Sequence, residues 1–158
     1  MRSMDQMKDL YHILGLTLQK YETIAKVAID FGTGEKLYPS EVHLISHVCF
    51  CAQTCVTRIA EHFGVTKGAA SQNVAKLVHK GYLAKTRDPD KGSRMLVTPT
   101  DKGIAAHQAH MAFHERHDKP FLDFLAGLSQ DQFKSFETFA KELNRWMDSY
   151  LAAINTEP

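Results

Sequence analysis

Apolar residues recur at helical spacing from the start of the chain: Met7, Leu10, Leu14, Leu18, Tyr21, Ile24, Ala28 and Phe31. Ser3 and Gln6 form a capping-box pair ahead of them, and Gly32-Thr33-Gly34 is the expected stop. The pattern predicts a first helix over 5–31, roughly 40 Å long at about 1.5 Å per residue. That is more apolar stripe than so small a domain covers, and a second subunit is the simplest partner for it. A second helix starts near Pro39, suited to a first helical position, and runs through Val42, Leu44, Ile45 and Val48. The pattern breaks over Cys49–Thr54. A short third helix turns Val56, Ile59, Ala60 and Phe63 inward and stops at Gly64. Thr66 caps a fourth, with Ala70, Val74, Leu77 and Val78 inward and Gly81 as its end. Extended runs at Tyr82–Thr86 and Arg94–Thr98 flank Asp88-Pro89-Asp90-Lys91-Gly92-Ser93, which has turn chemistry throughout. Thr100 caps a long helix reaching about Leu125, ended by Gly127. Ser129 with Gln132 makes another capping box, Leu128 with Phe133 a hydrophobic staple. The last helix is expected to bury Phe133, Phe136, Ala140, Leu143, Met147, Tyr150 and Ile154.

The expected fold is therefore mainly α with a small β-wing: a winged helix-turn-helix of six helices, dimerising through its N- and C-terminal helices. We expect a dimerisation helix over 1–35, a DNA-binding lobe over 36–100 and dimerisation helices over 101–158, within one structural domain. At 158 residues the chain can bury a core without disulfides or metal. Its 44% hydrophobic and 23% charged composition argues against disorder. No apolar run matches a membrane span and no signal-peptide pattern opens the chain, so no membrane partner and a cytoplasmic location with reduced thiols are expected.

Charge sharpens the picture. The chain as a whole carries only +1, but residues 54–103 hold nine Lys and Arg against four acids, a local +5. A basic middle between acidic arms suits a DNA-reading core on a separate scaffold. Within it, a short helix, a Gly turn and a capped second helix make a helix-turn-helix. Small Ala60 and Ala70 let the two helices cross closely. Lys67, Gly68, Ser71 and Gln72 fall on the outward face near the start of the second helix, where Gln and Ser can reach base edges. Lys67 and Lys76 suit phosphates, as do Arg87, Lys91 and Arg94 on the following hairpin. The bland alternative, a helical hairpin with a solvated polar face, does not account for the basic hairpin that follows at once.

At this point the sequence resembles the MarR family of transcriptional regulators over essentially its whole length. The matching residues are Pro39-Ser40-Glu41, Arg58-Ile59-Ala60-Glu61-His62-Phe63-Gly64-Val65 and Lys76-Leu77-Val78-His79-Lys80-Gly81-Tyr82-Leu83. Arg87-Asp88-Pro89-Asp90-Lys91 and Thr100-Asp101-Lys102-Gly103 match the wing and its exit. The resemblance implies an effector-responsive repressor that binds a pseudo-palindromic operator in double-stranded DNA as a homodimer. It implies major-groove contacts from Lys67, Gly68, Ser71 and Gln72, and a wing organised by Asp90 and Arg94. The sequence departs from the family at Pro99, where Leu is usual, and at Gly92-Ser93, which lengthen the wing tip by one residue.

Nine histidines stand out. His107, His110, His114 and His117 share an arc of about 80° on the long helix at about 100° per residue, and His43 and His47 form an i, i+4 pair on the second. Two readings stay open. One is a polar stripe satisfied by water and by carboxylates such as Glu41 and Glu115. The other is an effector site made by His43, His47, His107, His110 and His114, in which His43, His47, His110 and His114 would suit zinc as the only candidate cofactor. Some MarR relatives are zinc sensors with ligands in these regions. A narrower resemblance, carried by Glu41-Val42-His43 and His107-Gln108-Ala109-His110…Phe113-His114, is to the family's fatty-acid-synthesis repressors. It implies an acyl-chain effector in an apolar pocket between the dimer arms and the DNA-binding lobe.

Cys49, Cys51 and Cys55 read as core packing or, alternatively, as a metal or redox group; the two-residue spacing of the first pair argues against a shared site. A metal-dependent enzyme using the His-rich helix is the rival from another class. No H-E-x-x-H, G-x-S-x-G, P-loop or dinucleotide fingerprint supports it, and no catalytic residue is expected. A winged helix used only for protein contacts is disfavoured by the basic segment.

Overall fold

The computed structural model describes residues 3–89 and 94–156. The chain divides into two compact units, 1–113 and 114–158, and the boundary falls inside one helix.

The first unit opens with α1 (Met4–Ala25), capped as its sequence predicts. The Gln6 N–H donates to Ser3 Oγ at 3.2 Å and the Ser3 N–H to Gln6 Oε1 at 3.1 Å. No residue of α1 is buried. The helix ends at Ala25, not at Phe31 as the apolar spacing suggested. Residues 29–37 instead form a ribbon of β1 (Ile29–Asp30) and β2 (Lys36–Leu37). Gly32 and Gly34 sit at φ of +77° and +73° in its turn, and the Asp30 carboxylate accepts from the Thr33 N–H. Phe31 and Leu37 are thereby buried in the core as ribbon residues.

Helix α2 (Pro39–Cys51) follows, then β3 (Thr54–Cys55), α3 (Val56–Phe63), α4 (Lys67–His79), β4 (Leu83–Arg87) and β5 (Met95–Pro99). The three strands form an antiparallel sheet in the order β3-β5-β4. Strand β3, too short to show an alternating pattern, pairs Thr54 with Val97 and Cys55 with Leu96. Hairpin β4–β5 pairs Lys85 with Val97 and Arg87 with Met95. The core gathers Val42, Ile45 and Val48 of α2, Ile59 of α3, Val74 and Leu77 of α4, and Tyr82, Leu83 and Val97 at the sheet.

Helix α5 (Asp101–His117) is anchored by Thr100. Its hydroxyl lies 2.7 Å from the Gly81 carbonyl oxygen and accepts from the Gly103 N–H at 3.1 Å. Gly103 lies so close to the Tyr82 carbonyl that an added Cβ would come within 2.2 Å of that oxygen. The Tyr82 ring is fully buried, its hydroxyl 2.7 Å from Thr33 Oγ1.

The second unit contains the end of α5, then α6 (Lys119–Ala126) and α7 (Gln130–Thr156). The long helix expected from Thr100 to about Leu125 is therefore two, and the described residues hold seven helices where six were expected. Pro120 explains the break: it lacks an N–H and its ring clashes with the carbonyl four residues back, but it fits the first turn of α6. Ser129 and Gln132 make the expected reciprocal cap. The side chains expected to be buried on the last helix are not buried in the single chain. Phe133, Phe136, Tyr150 and Ile154 are exposed, Ala140 likewise, and Leu143 and Met147 are half-buried.

Candidate nucleic-acid interface

The turn between α3 and α4 is set by Gly64, at φ of +63°. The Val65 N–H then closes on the Ala60 carbonyl at 3.1 Å. Thr66 caps α4 by accepting from the Ala69 N–H at 3.2 Å. Burial of Ile59, Ala60, Ala70 and Val74 locks the two helices together and fixes which face of α4 points outward. Lys67, Gly68 and Gln72 are exposed on that face, and Ser71 is half-buried beside them. A Cβ at Gly68 would meet only Thr66 Oγ1, at 3.9 Å. Packing within the chain therefore does not require glycine there.

Lys76 stands apart from this group. Its ammonium lies 2.9 Å from Glu41 Oε1 and 5.9 Å from the Tyr38 ring centroid. Glu41 also pairs with Lys80 at 3.1 Å and accepts from the Tyr38 N–H. Burial raises the Glu41 carboxyl pKa, but the Tyr38 N–H and the two lysines outweigh it and hold the group below its ordinary value. Lys80 reaches Glu35 at 3.4 Å, and Lys102 reaches Glu35 at 3.2 Å while lying 4.2 Å from the Tyr82 ring centroid. The cluster Glu35, Glu41, Lys76, Lys80 and Lys102 ties α2 and α4 to the start of α5.

On the hairpin, Arg87 is exposed at the end of β4. Arg94 is not a free surface cation. Its guanidinium lies 3.9 Å from the buried Asp88 carboxylate and 3.4 Å from Cys55 Sγ, and its carbonyl accepts from the Asp88 N–H at 2.9 Å. Asp90, expected with Arg94 to organise the wing, and Lys91 lie outside the described residues.

The histidines separate into groups. His110 is buried and its Nδ1 lies 3.1 Å from Ser46 Oγ; His107 Nδ1 lies 3.1 Å from the same hydroxyl. The His43 and Phe31 rings stand 5.2 Å and 5.4 Å from the His110 ring, and Phe50 stands edge-on to His107. Ser46, the centre of this group, was not singled out from sequence; its place one turn from His43, and between His43 and Phe50, is the only signal. His47 points elsewhere. It stacks on His62 at 3.9 Å and lies 3.8 Å from Cys51 Sγ. His114 falls in the second unit, where its Nδ1 meets Asp118 Oδ2 at 2.6 Å. The three cysteines have three different surroundings: Cys49 against the Gly103 carbonyl, Cys51 exposed, and Cys55 buried beside Arg94.

A cavity of about 270 Å³ opens between α1, α2, α3 and α4. Tyr21, His43, Leu44, Phe63 and Asn73 contribute to its walls. It lies directly behind the first half of α4, and Asn73 and Tyr21 were not anticipated there.

A three-helix lobe with a capped, outward-facing second helix of a helix-turn-helix and a three-stranded sheet ending in a hairpin defines a winged helix-turn-helix protein. The MarR family model matches residues 56–92, the stretch from α3 to the wing tip. The chain is 26% identical over 129 residues to YhjH, an uncharacterized HTH-type transcriptional regulator of Bacillus subtilis strain 168, covering 81% of this chain and 74% of that one. Zinc-responsive ZitR of Lactococcus lactis superposes with a TM-score of 0.70 at 18% identity, over 90% of this chain and 99% of ZitR. FabT of Streptococcus pneumoniae, solved with DNA, superposes with a TM-score of 0.65 at 16% identity, over 94% and 99%. The chain thus matches the MarR family model over this stretch and shares the fold of MarR-family structures over most of its length. Among the described residues, no helix is long and apolar enough to cross a membrane.

Proposed function

We propose that this protein is an effector-responsive DNA-binding regulator, acting as a repressor, that reads a pseudo-palindromic operator as a homodimer. The observation that carries this reading is the outward presentation of Lys67, Gly68, Ser71 and Gln72 on the first turns of α4, with Arg87 on the adjacent hairpin. Gln72 can make paired hydrogen bonds to an adenine edge. Gly68, which nothing in the chain requires, lets the helix backbone approach the duplex. Lys67, Arg87 and Lys91 supply phosphate charge. Lys76 contributes less than its position on α4 suggests, because Glu41 already holds it. FabT and MarR of E. coli, both of similar fold, have been solved on DNA. Selection of binding sites from randomised duplexes tests the proposal. An enriched inverted repeat bound with a steep salt dependence is expected; recovery of no sequence would refute it.

For the effector, the favoured position is the region where His43 meets His110. Ser46 Oγ, 3.1 Å from Nδ1 of His110, orients that ring. His43 adds a second imidazole. Orientation of a histidine through its second nitrogen is what a metal site needs, and these donors suit zinc. ZitR, of similar fold, is zinc-responsive. A ligand favouring one conformer by about a hundredfold supplies about 2.7 kcal/mol for shifting the DNA-competent population. Operator release is expected with zinc or with acyl compounds in the wild type and with neither in a His43→Ala/His110→Ala double variant. Normal release by that variant would remove the histidines from the sensing site.

A further inference from the structure

Glu41 lies in the first turn of α2, and one of its carboxylate oxygens meets two ammonium groups of α4: Lys76 at 2.9 Å and Lys80 at 3.1 Å. Its other oxygen accepts from the Tyr38 N–H at 3.0 Å. Gln72, Lys76 and Lys80 follow one another at four-residue spacing and so form one row along α4. The row starts at the exposed Gln72, the residue suited to an adenine edge, and ends at the half-buried Lys80. Lys76 stands between them, with its side chain 55% exposed against 9% for Glu41. We propose that Glu41 is a positioning residue for DNA recognition: it withholds Lys76 from the phosphate backbone and so restrains binding to DNA of unrelated sequence. This inference rests on the DNA-binding reading of α4.

The two lysines are not equivalent partners. Lys80 is shielded and also meets Glu35 at 3.4 Å, within the cluster that joins α2 and α4 to α5. Lys76 borders solvent, so it is the cation for which a phosphate can compete with Glu41. A lysine that neutralises a phosphate releases a condensed counterion and adds affinity that carries no sequence information. For Lys76 that gain is offset by the loss of a carboxylate that a backbone N–H holds in place. Because Glu41 is nearly buried, salt screens this pair less than it screens an exposed one. Withholding the charge lowers affinity for every duplex alike and leaves the base contacts of Gln72 untouched. Unrelated sites far outnumber operators in a genome, so a small restraint on each of them weighs on operator occupancy.

The probe is a labelled duplex of random sequence, titrated with the full-length protein by fluorescence anisotropy between about 50 and 200 mM salt. Glu41→Gln is expected to steepen the slope of log affinity against log salt by about 0.9, the value of one more phosphate contact. Its advantage over the wild type should then shrink about 3.5-fold across that range. Lys76→Gln should flatten the slope more in the Glu41→Gln background than in the wild type, which separates release of Lys76 from the added net charge. Glu41→Asp keeps the charge and shortens its reach by one methylene, so it should act in the same direction as Glu41→Gln, by less. Melting curves fix a temperature at which each variant is folded, and Glu41→Asp carries the test if Glu41→Gln does not fold. Unchanged slopes in the Glu41 variants, or an equal effect of Lys76→Gln in both backgrounds, would overturn the restraint while wild-type DNA binding stands. Absence of wild-type binding to any duplex would instead overturn the reading of α4, and this inference with it.

Discussion

Two residues show how far packing and charge constrain single positions away from the proposed DNA surface. Gly103 is set by space: any larger residue drives a Cβ into the Tyr82 carbonyl, in a region where Thr100 fixes both partners. Overpacking of this kind costs about 1–3 kcal/mol or more. Gly103→Ala is therefore expected to lower the urea midpoint by at least that equivalent, and an unchanged midpoint would show that α5 shifts freely. Glu41 is set by charge. Its folded pKa lies below the unfolded value because the Tyr38 N–H, Lys76 and Lys80 outweigh the effect of burial. The stability it lends is thus fully present above its ordinary value of 4.5 and is lost as pH falls through the lower folded value. Glu41→Gln should destabilise the protein at neutral pH and flatten the loss of stability below about pH 4.5; thermal melts of both proteins across pH 3–7 compare the two slopes. Neither residue needed a structure to attract notice, since both lie in the segments that carry the family resemblance. Their partners did. Nothing in the local sequence tells that Lys76, though still exposed, pairs with Glu41, thirty-five positions away.

Among the elements, the wing illustrates two arginines with separate work. Arg87 ends β4 in solvent, whereas Arg94 braces the buried Asp88 and reaches Cys55. Arg87→Ala should weaken all DNA sequences alike and flatten the salt slope by about one unit. Arg94→Ala should leave that slope unchanged and lower stability by about 1–3 kcal/mol, because a buried carboxylate loses a neighbouring guanidinium charge. Anisotropy titrations at several salt concentrations, with melts alongside, separate the two; identical salt slopes for both variants would contradict the division. The same elements mark the reach of the sequence. Helices α3 and α4, the hairpin and the caps at Ser3, Gly64, Thr66, Thr100 and Ser129 were legible, because those residues announce their chemistry locally. The end of α1 was not, because Ala28 and Phe31 continue the helical spacing while serving a ribbon whose core contact is tertiary. The division between α5 and α6 was missed: the helical reading ran straight through Pro120 to about Leu125, although Pro120 cannot sit inside a helix undisturbed. Strand β3 was hidden, since two residues show no period and exist as a strand only through β5. The histidines were legible as a population but not as partners: helical spacing put His43 and His47 together, and the packing of α3 and α5 drew them apart.

At the scale of the molecule, the main unanswered surface is apolar. Leu10, Ile13, Leu18, Tyr21 and Ile24 of α1 are all exposed, as are Phe133, Phe136, Trp146, Tyr150, Leu151 and Ile154 of α7. Contiguous apolar stripes on this scale are unusual for a stable monomer and are the expected surfaces of an obligate assembly. A twofold homodimer built on both helices follows as the proposed state, and it would present two copies of α4 to one duplex. Two recognition helices related by a twofold axis read half-sites one helical turn apart, about 34–36 Å. The full-length protein is accordingly expected to sediment as a dimer. Removal of residues 1–31 should give aggregates or monomers without sequence-specific binding. With the intact protein, Gln72→Ala should relax base choice symmetrically in both half-sites at about 1–3 kcal/mol for each contact. Inserting half a helical turn between the half-sites places them on opposite faces of the duplex, where a rigid dimer engages only one. Affinity for the spaced operator should then fall to that of a single half-site, while an insertion of a full turn tests how far the dimer can stretch. A truncated chain that binds as well as the full-length protein, or an operator indifferent to half-turn insertion, would show that recognition does not depend on the twofold pairing of α4.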